Sequence, residues 1–275
     1  MDHQVIWVVS YPKSGSTWVR TLLKHYLQVL TGTKPLETSD TIPYFYHIVS
    51  PKPAIELGVT GIAQLRPAAL MHLIAVHQSR THPTPATIIK SHLFNATIIG
   101  MPLWSPLWAP KVVYISRDPR DILPSYADHL GETHEEIVKL MTDPSARIGT
   151  YIPALTSTWS NHVKSWHDAK NVEVCHISYE QMHEDTAGVL SKVLDFYDIE
   201  NDPIIVDMAV EASSFRVMQE REARQGGFCE RTEHQKRFFR RGIVGSHKID
   251  VEEFHTMQIE HDHEDMMRRL GYLDE

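Results

Sequence analysis

Residues 5–20, VIWVVSYPKSGSTWVR, constrain the fold more than any other stretch, because a β-branched apolar run passes through a short polar loop straight into a helical pattern. Such short, nearly continuous apolar runs suit strands buried on both faces, as in a parallel sheet covered by helices. Three more runs share the character: ATIIK (86–90), KVVYIS (111–116) and VEVCHIS (172–178). Helical patterns over 16–31, 119–131, 151–169 and 185–198 are interspersed with them. The alternation predicts an α/β fold with a parallel central sheet flanked by helices.

Residues 33–83 carry many Pro and His without a clean period and read as loops and short helices folded over the sheet. From 200 the pattern is helical to about 222, breaks at QGGF (225–228), enters a stretch rich in Arg, Lys and Phe, and turns helical again near 250. No repeat, low-complexity tract or linker divides the 275 residues, so one domain over 1–275 is expected.

A formal net charge of −8 argues against a general polyanion binder, so no nucleic-acid partner is expected, although a local basic pocket remains compatible with it. Cys175 and Cys229 form no disulfide framework and no CxxC pair, which suits a reducing compartment. VIWVVS is too short for a signal h-region, and no apolar run reaches membrane-spanning length. A soluble, cytoplasmic protein without a membrane partner is the expectation.

The loop between the first strand and helix holds Pro12, Lys13, Ser14, Gly15, Ser16 and Thr17. The first helical turn directs unpaired N–H groups and a positive dipole end outward, so the loop could hold an anion. The bland reading is a turn with Ser16 or Thr17 as helix N-cap. In the ATP-binding pattern GxxxxGK[ST] the Lys follows the second Gly; here Lys13 precedes the single Gly15, and the shorter loop suits one terminal phosphate.

YPKSGSTWVR (11–20) resembles the 5′-phosphosulfate loop of the cytosolic-type sulfotransferases, which use 3′-phosphoadenosine 5′-phosphosulfate (PAPS). Further segments match in order: IIKSHLF (88–94) is similar to the Lys-x-His segment, YISRDPRDILPSY (114–126) to the 3′-phosphate motif, and FFRRGIVGSHK (238–248) to the C-terminal Arg-Lys-Gly loop. ISYEQM (177–182) resembles the strand end that carries an adenine-contacting Tyr, and ASSF (212–215) a turn at the base. The resemblance covers about residues 5–248 and implies the P-loop-containing sulfotransferase fold.

It also implies roles. His92 would be the general base, Lys13 would stabilise the bridging oxygen of the leaving adenosine 3′,5′-bisphosphate (PAP), and Lys90 the sulfonate oxygens. Ser14, Gly15, Ser16 and Thr17 would hold the 5′-phosphate; Arg117 and Ser125, with Arg240, Arg241 and Gly242, the 3′-phosphate; Trp18, Tyr179, Ser213 and Phe215 the base end. No metal is required by the family. The acceptor would be a small molecule, and the compact chain is closest in character to bacterial enzymes that tailor natural products. The rivals are a kinase-like phosphotransferase of the same broad fold and a catalytically inactive nucleotide-binding relative.

Two departures stand out. Gly245-Ser246-His247-Lys248 replaces the usual Gly-Asp-Trp-Lys, leaving open how the last loop closes, and Arg241 replaces the commoner Lys. No dimer motif is recognisable in HTMQIEHDHED (255–265), so oligomeric state is not given. In that segment His261 and Asp265 lie one turn apart, and a solvated helix face is preferred to a metal site.

Acceptor specificity is expected in 33–83, 93–108 and 127–160. Phe94, Met101, Trp104 and Trp108 could wall an apolar pocket or pack as a lid on the core. Asp128, Glu132, Glu135 and Glu136 read as a solvated face, and turned inward they would favour a cationic acceptor.

Overall fold

The computed structural model describes residues 4–39, 50, 52, 56, 58–78, 86–148, 154–224 and 230–274. The predicted break at 225–228, Cys229, the start of the predicted 151–169 helix and parts of 33–83 lie outside them.

Chain order begins β1 (Gln4–Ser10), α1 (Ser16–Thr31), β2 (Leu36–Ser39), α2 (Gly58–Gln78), β3 (Ala86–Ser91), β4 (Thr97–Ile98), β5 (Met101–Pro102) and β6 (Lys111–Ser116). It continues α3 (Pro119–Leu130), α4 (His134–Thr142), β7 (Arg147–Ile148), β8 (Ala154–Leu155), α5 (Trp159–His167), β9 (Glu173–Ser178) and α6 (Tyr179–Glu184). The last elements are α7 (Thr186–Phe196), α8 (Pro203–Ala212), α9 (Phe215–Arg224), α10 (His247–Asp250) and α11 (Glu253–Arg269).

Five strands form one parallel sheet in the order β2-β3-β1-β6-β9. Two short antiparallel ribbons, β4 with β5 and β7 with β8, lie apart from it. The period of two along β1 divides the core. Trp7 and Val9, with Ile89, Val112 and Tyr114, pack under residues of α2 to α5 and α11. Ile6 and Val8, with Ile88, Val113 and Ile177, pack under α1, α7 and α8. Burial on both faces is why these strands read as unbroken apolar runs.

The described part of 33–83 differs from expectation, since it holds the edge strand β2 and a helix of 21 residues, α2. Pro67 lies inside α2 and its apolar residues run around the axis, so the sequence shows no helical stripe there. The predicted helix at 151–169 is shorter: Ala154 and Leu155 pair with β7, and Thr158 caps α5 by accepting from Asn161 N–H at 3.0 Å. The stretch from 200 is two helices broken at Ser213–Ser214.

Trp104 and Trp108 belong to the core, Phe94 packs against it, and none of the three lines the cavity at the strand ends. Trp104 is fully buried between Trp7 and Trp166, with ring centres 5.1 and 4.7 Å away, and its Nε1 donates to the Phe94 carbonyl. Glu132, Glu135 and Glu136 face outward, Glu136 completing a capping box with Thr133 and Glu135 pairing with Lys139. His261 and Asp265 are exposed on α11.

Candidate functional site

Four neighbouring strands end at one edge of the sheet, and each delivers a predicted site residue there. β1 runs into the Lys13–Gly15 loop, β3 into His92 just past Lys90, β6 into Arg117 and β9 into Tyr179. In open parallel sheets the crevice outside the carboxyl ends of the strands is where ligands bind. A cavity of about 590 Å³ opens there. Every predicted site residue lines it except Ser14 and Ser213. Those two are fully buried beside it, and their hydroxyls have no hydrogen-bond partner among the described residues.

The loop is shaped by two left-handed residues, Lys13 at φ 66° and Gly15 at φ 100°. Gly15, not Ser16 or Thr17, is the N-cap of α1, and no side chain caps that turn. The capping alternative therefore fails, and the first turn keeps its donors for something other than Ser or Thr oxygens. A Cβ on Gly15 would stand 2.7 Å from Tyr179 Cδ2. Gly15→Ala combines that clash with a φ that L-residues avoid, so we expect a loss of about 2 kcal/mol and a melting temperature lower by roughly 5 °C, measured by thermal unfolding.

Aromatic rings line one end. Trp18, Tyr179 and His183 pack edge to face, with centres 4.7 to 5.8 Å apart. The Arg117 guanidinium lies 4.0 Å from the centre of the Tyr179 ring, and its Nη1 donates to the Lys13 carbonyl at 3.1 Å. Arg117 Nε and Trp18 Nε1 are buried without a hydrogen-bond partner among the described residues. Buried donors left unpaired are costly, and these two border a cavity that a polar, flat ligand could fill. Arg240 and Arg241 also border it and both pair with Asp250, the Arg241 contact at 2.6 Å. Gly242, at φ 62°, has Phe215 against it so closely that a Cβ would stand 2.1 Å from Cδ2.

The altered last loop closes on the helix start after Arg117. Asp118 caps α3 by accepting from Arg120 N–H at 2.9 Å, and Pro119 follows at its first position. Asp121, fully buried, accepts from Gly245 N–H at 2.7 Å, His247 N–H at 2.9 Å and His247 Nδ1–H at 2.7 Å. Burial alone would raise this carboxyl, but the His247 hydrogen bonds and Arg117 hold it at about 2.

Lys13, Lys90 and His92 occupy the other end. Burial, then the charge of Lys90, lowers the Lys13 ammonium to about 8, and its Nζ lies 4.6 Å from the centre of the Phe238 ring. His92 Nδ1 donates to the Ser10 carbonyl at 2.8 Å. A carbonyl only accepts, so Nδ1 carries the hydrogen and Nε2 keeps its lone pair. Burial, then Lys90, holds His92 well below the ordinary imidazole value, hence neutral. Behind it, His162 Nε2 donates to the His92 carbonyl at 3.2 Å, and its Nδ1 accepts from Tyr114 hydroxyl at 2.9 Å.

Several cavity groups escaped the sequence reading. Glu230 accepts from Thr17 Oγ1 at 3.1 Å, from Lys90 Nζ at 3.2 Å and from Arg20. Burial would raise its carboxyl, yet Lys90 and Arg20 hold it at about 2. The nearest signal in the sequence is the basic stretch it precedes. His129 also faces the cavity, and one histidine among 18 carries no signal by itself.

A glycine-bearing anion loop at the end of the central strand, beside lysines and an arginine from neighbouring strand ends, defines a P-loop-type nucleotide-binding α/β protein. The sulfotransferase domain family matches residues 3–271, and the chain belongs to that family. Among curated relatives, Mus musculus Sulfotransferase 2A2 is 26% identical over 220 residues, covering 78% of this chain and 66% of the relative. Rattus norvegicus Sulfotransferase 1E1 is 26% identical over 254 residues, covering 86% and 75%. The chain thus spans about two thirds to three quarters of their lengths. A crystal structure of mouse sulfotransferase SULT7A1 complexed with PAP superposes with a TM-score of 0.63 at 22% identity, covering 99% of this chain and 86% of that one, a likeness of fold.

Proposed function

We propose that the chain, acting as one domain over residues 1–275, transfers the sulfonate of PAPS to a hydroxyl or amine of a small molecule, a secondary metabolite in a cytoplasmic setting. The observation that carries this reading is the convergence of Lys13, Lys90, His92 and Arg117 from three adjacent strand ends on one cavity. Its two basic regions match a ligand with anions at both ends of a nucleoside. At one end the loop N–H groups, Ser16 and Thr17 grip the 5′-phosphate; at the other, Arg117 and Ser125, helped by Arg240 and Arg241, take the 3′-phosphate. The base enters among Trp18, Tyr179 and Phe215, where the unpaired Trp18 Nε1 offers a hydrogen bond. Glu230 now holds Thr17 Oγ1 and Lys90, so a bound donor meets these groups only by competing with that carboxylate.

In the transfer step the acceptor O–H or N–H gives its proton to His92 Nε2 as its heteroatom forms a bond to sulfur. The bond from sulfur to the bridging phosphate oxygen breaks, and PAP leaves with the electron pair. Lys90 balances the sulfonate oxygens and Lys13 the bridging oxygen. The chemistry needs positioning and charge, which the strand ends supply.

Calorimetry with adenosine 3′,5′-bisphosphate against adenosine 5′-phosphate and ATP, in the absence of Mg²⁺, tests the donor site. We expect a preference for the bisphosphate of about 100-fold that disappears in Arg117→Ala, as suits the loss of a charge-assisted fork. Equal affinities in the native protein would reject the reading in favour of a kinase-like or inactive nucleotide binder.

The pH profile follows from the two shifted groups. A lowered His92 value leaves the base unprotonated well below pH 6.5, so no acid limb appears at 6.5 in kcat/KM. Lys13 loses its charge as pH rises through about 8, so kcat/KM for PAPS falls above that pH. A limb at 6.5, or a flat profile above 8, would contradict these assignments.

A further inference from the structure

His129 stands in the last turn of α3, faces the same cavity, and has no part in gripping the nucleotide or in the transfer step. Its ring is held by a chain of groups with fixed polarity. Gln235, only 4% exposed, donates from Nε2 to the Asp128 carboxylate at 2.9 Å, and its Oε1 faces His129 Nδ1 at 3.0 Å. A carboxylate only accepts, so the amide nitrogen must point to Asp128 and the amide oxygen to the ring. That oxygen in turn only accepts, so His129 Nδ1 carries the hydrogen and Nε2 presents a lone pair. Thr232 Oγ1 pins the backbone by donating to the His129 carbonyl at 2.7 Å.

Burial, then the charge of Lys13, lowers His129 below the ordinary imidazole value, so the ring stays neutral and Nε2 remains an acceptor. No described residue is bonded to Nε2. Phosphate and sulfonate oxygens cannot fill the gap, because they too are acceptors. His129 lines the same cavity as Lys13, Lys90 and His92, the groups of the proposed transfer step.

We propose that His129 determines acceptor specificity: its Nε2, fixed as an acceptor by the Asp128–Gln235 pair, takes a hydrogen bond from a second O–H or N–H of the acceptor molecule. The inference rests on reading this cavity as the transfer site. It names the substrate class as small molecules with at least two hydrogen-bond donors, one to be sulfonated and one to be recognised. A molecule with a single hydroxyl satisfies His92 and leaves His129 facing an unmatched group.

The test titrates the dihydroxynaphthalene isomers and naphthol into the PAP-saturated protein, in native form and as His129→Phe and Gln235→Leu. In the native protein at least one isomer should bind about fivefold tighter than naphthol, the worth of one net hydrogen bond. That preference should fall to near one in both variants while each still binds PAP with native affinity, which also shows that the variants fold. A native preference near one for every isomer, or one that survives in His129→Phe, overturns the proposal. Failure of the native protein to bind PAP overturns the donor reading instead, and the same diol preference measured on the protein alone then decides whether His129 reads a hydroxyl.

Discussion

His92→Ala lowers kcat by about 10²–10⁴-fold, the range for losing a positioned general base, and leaves PAP affinity within about twofold. The size of the effect follows from how completely the ring is prepared. The Ser10 carbonyl fixes the tautomer, burial and Lys90 keep the ring neutral, and His162 with Tyr114 holds the backbone behind it. A base set up in this way loses no free energy to reorientation when the proton moves. Turnover with PAPS and an acceptor found by screening, set beside PAP calorimetry, separates chemistry from nucleotide binding. Near-native turnover in His92→Ala would remove His92 from the step.

Lys13→Met lowers kcat by about 10²–10³-fold, as expected for removing a preorganised charge from the leaving oxygen, with a smaller effect on KM for PAPS. Met keeps an apolar stem of similar length and removes the charged head, whose Nζ lies 4.6 Å from the centre of the Phe238 ring. Lys13 occupies a left-handed backbone conformation and is largely desolvated, down to about 8. Both cost free energy in the empty site, and an anion arriving beside the ammonium repays that cost. Single-turnover measurements at saturating PAPS check the prediction, because they report the chemical step alone. A loss confined to KM would make Lys13 a grip on the ground state rather than a group acting on the leaving oxygen.

The central sheet was legible because β1, β3 and β6 are buried on both faces and so spell themselves in β-branched residues, and the edge strand β9 still buries Cys175 and Ile177 on one face. β2 was not, since LETS at a sheet edge carries no such run, and α2 was hidden by Pro67 and by an apolar surface without a stripe. α5 came out shorter than its pattern because Ala154 and Leu155 pair with β7. The tryptophans at 104 and 108 show the same limit from the other side: an aromatic residue serves a core or a cavity equally well, and here the edge-to-face Trp7–Trp104–Trp166 cluster claims the first of them.

The amino-acid sequence by itself determined the strand ends, the loop between β1 and α1 and the motif residues at them, because each depends on short-range rules of burial and helix termini. Only the tertiary structure decided how Asp121 catches the altered Gly245–His247 turn, why Glu230 sits among Thr17, Arg20 and Lys90, and which tautomers His92 and His129 adopt. Those arrangements join residues more than 80 positions apart, and a proton's place on an imidazole is set by the single group facing its other nitrogen, which no local pattern records.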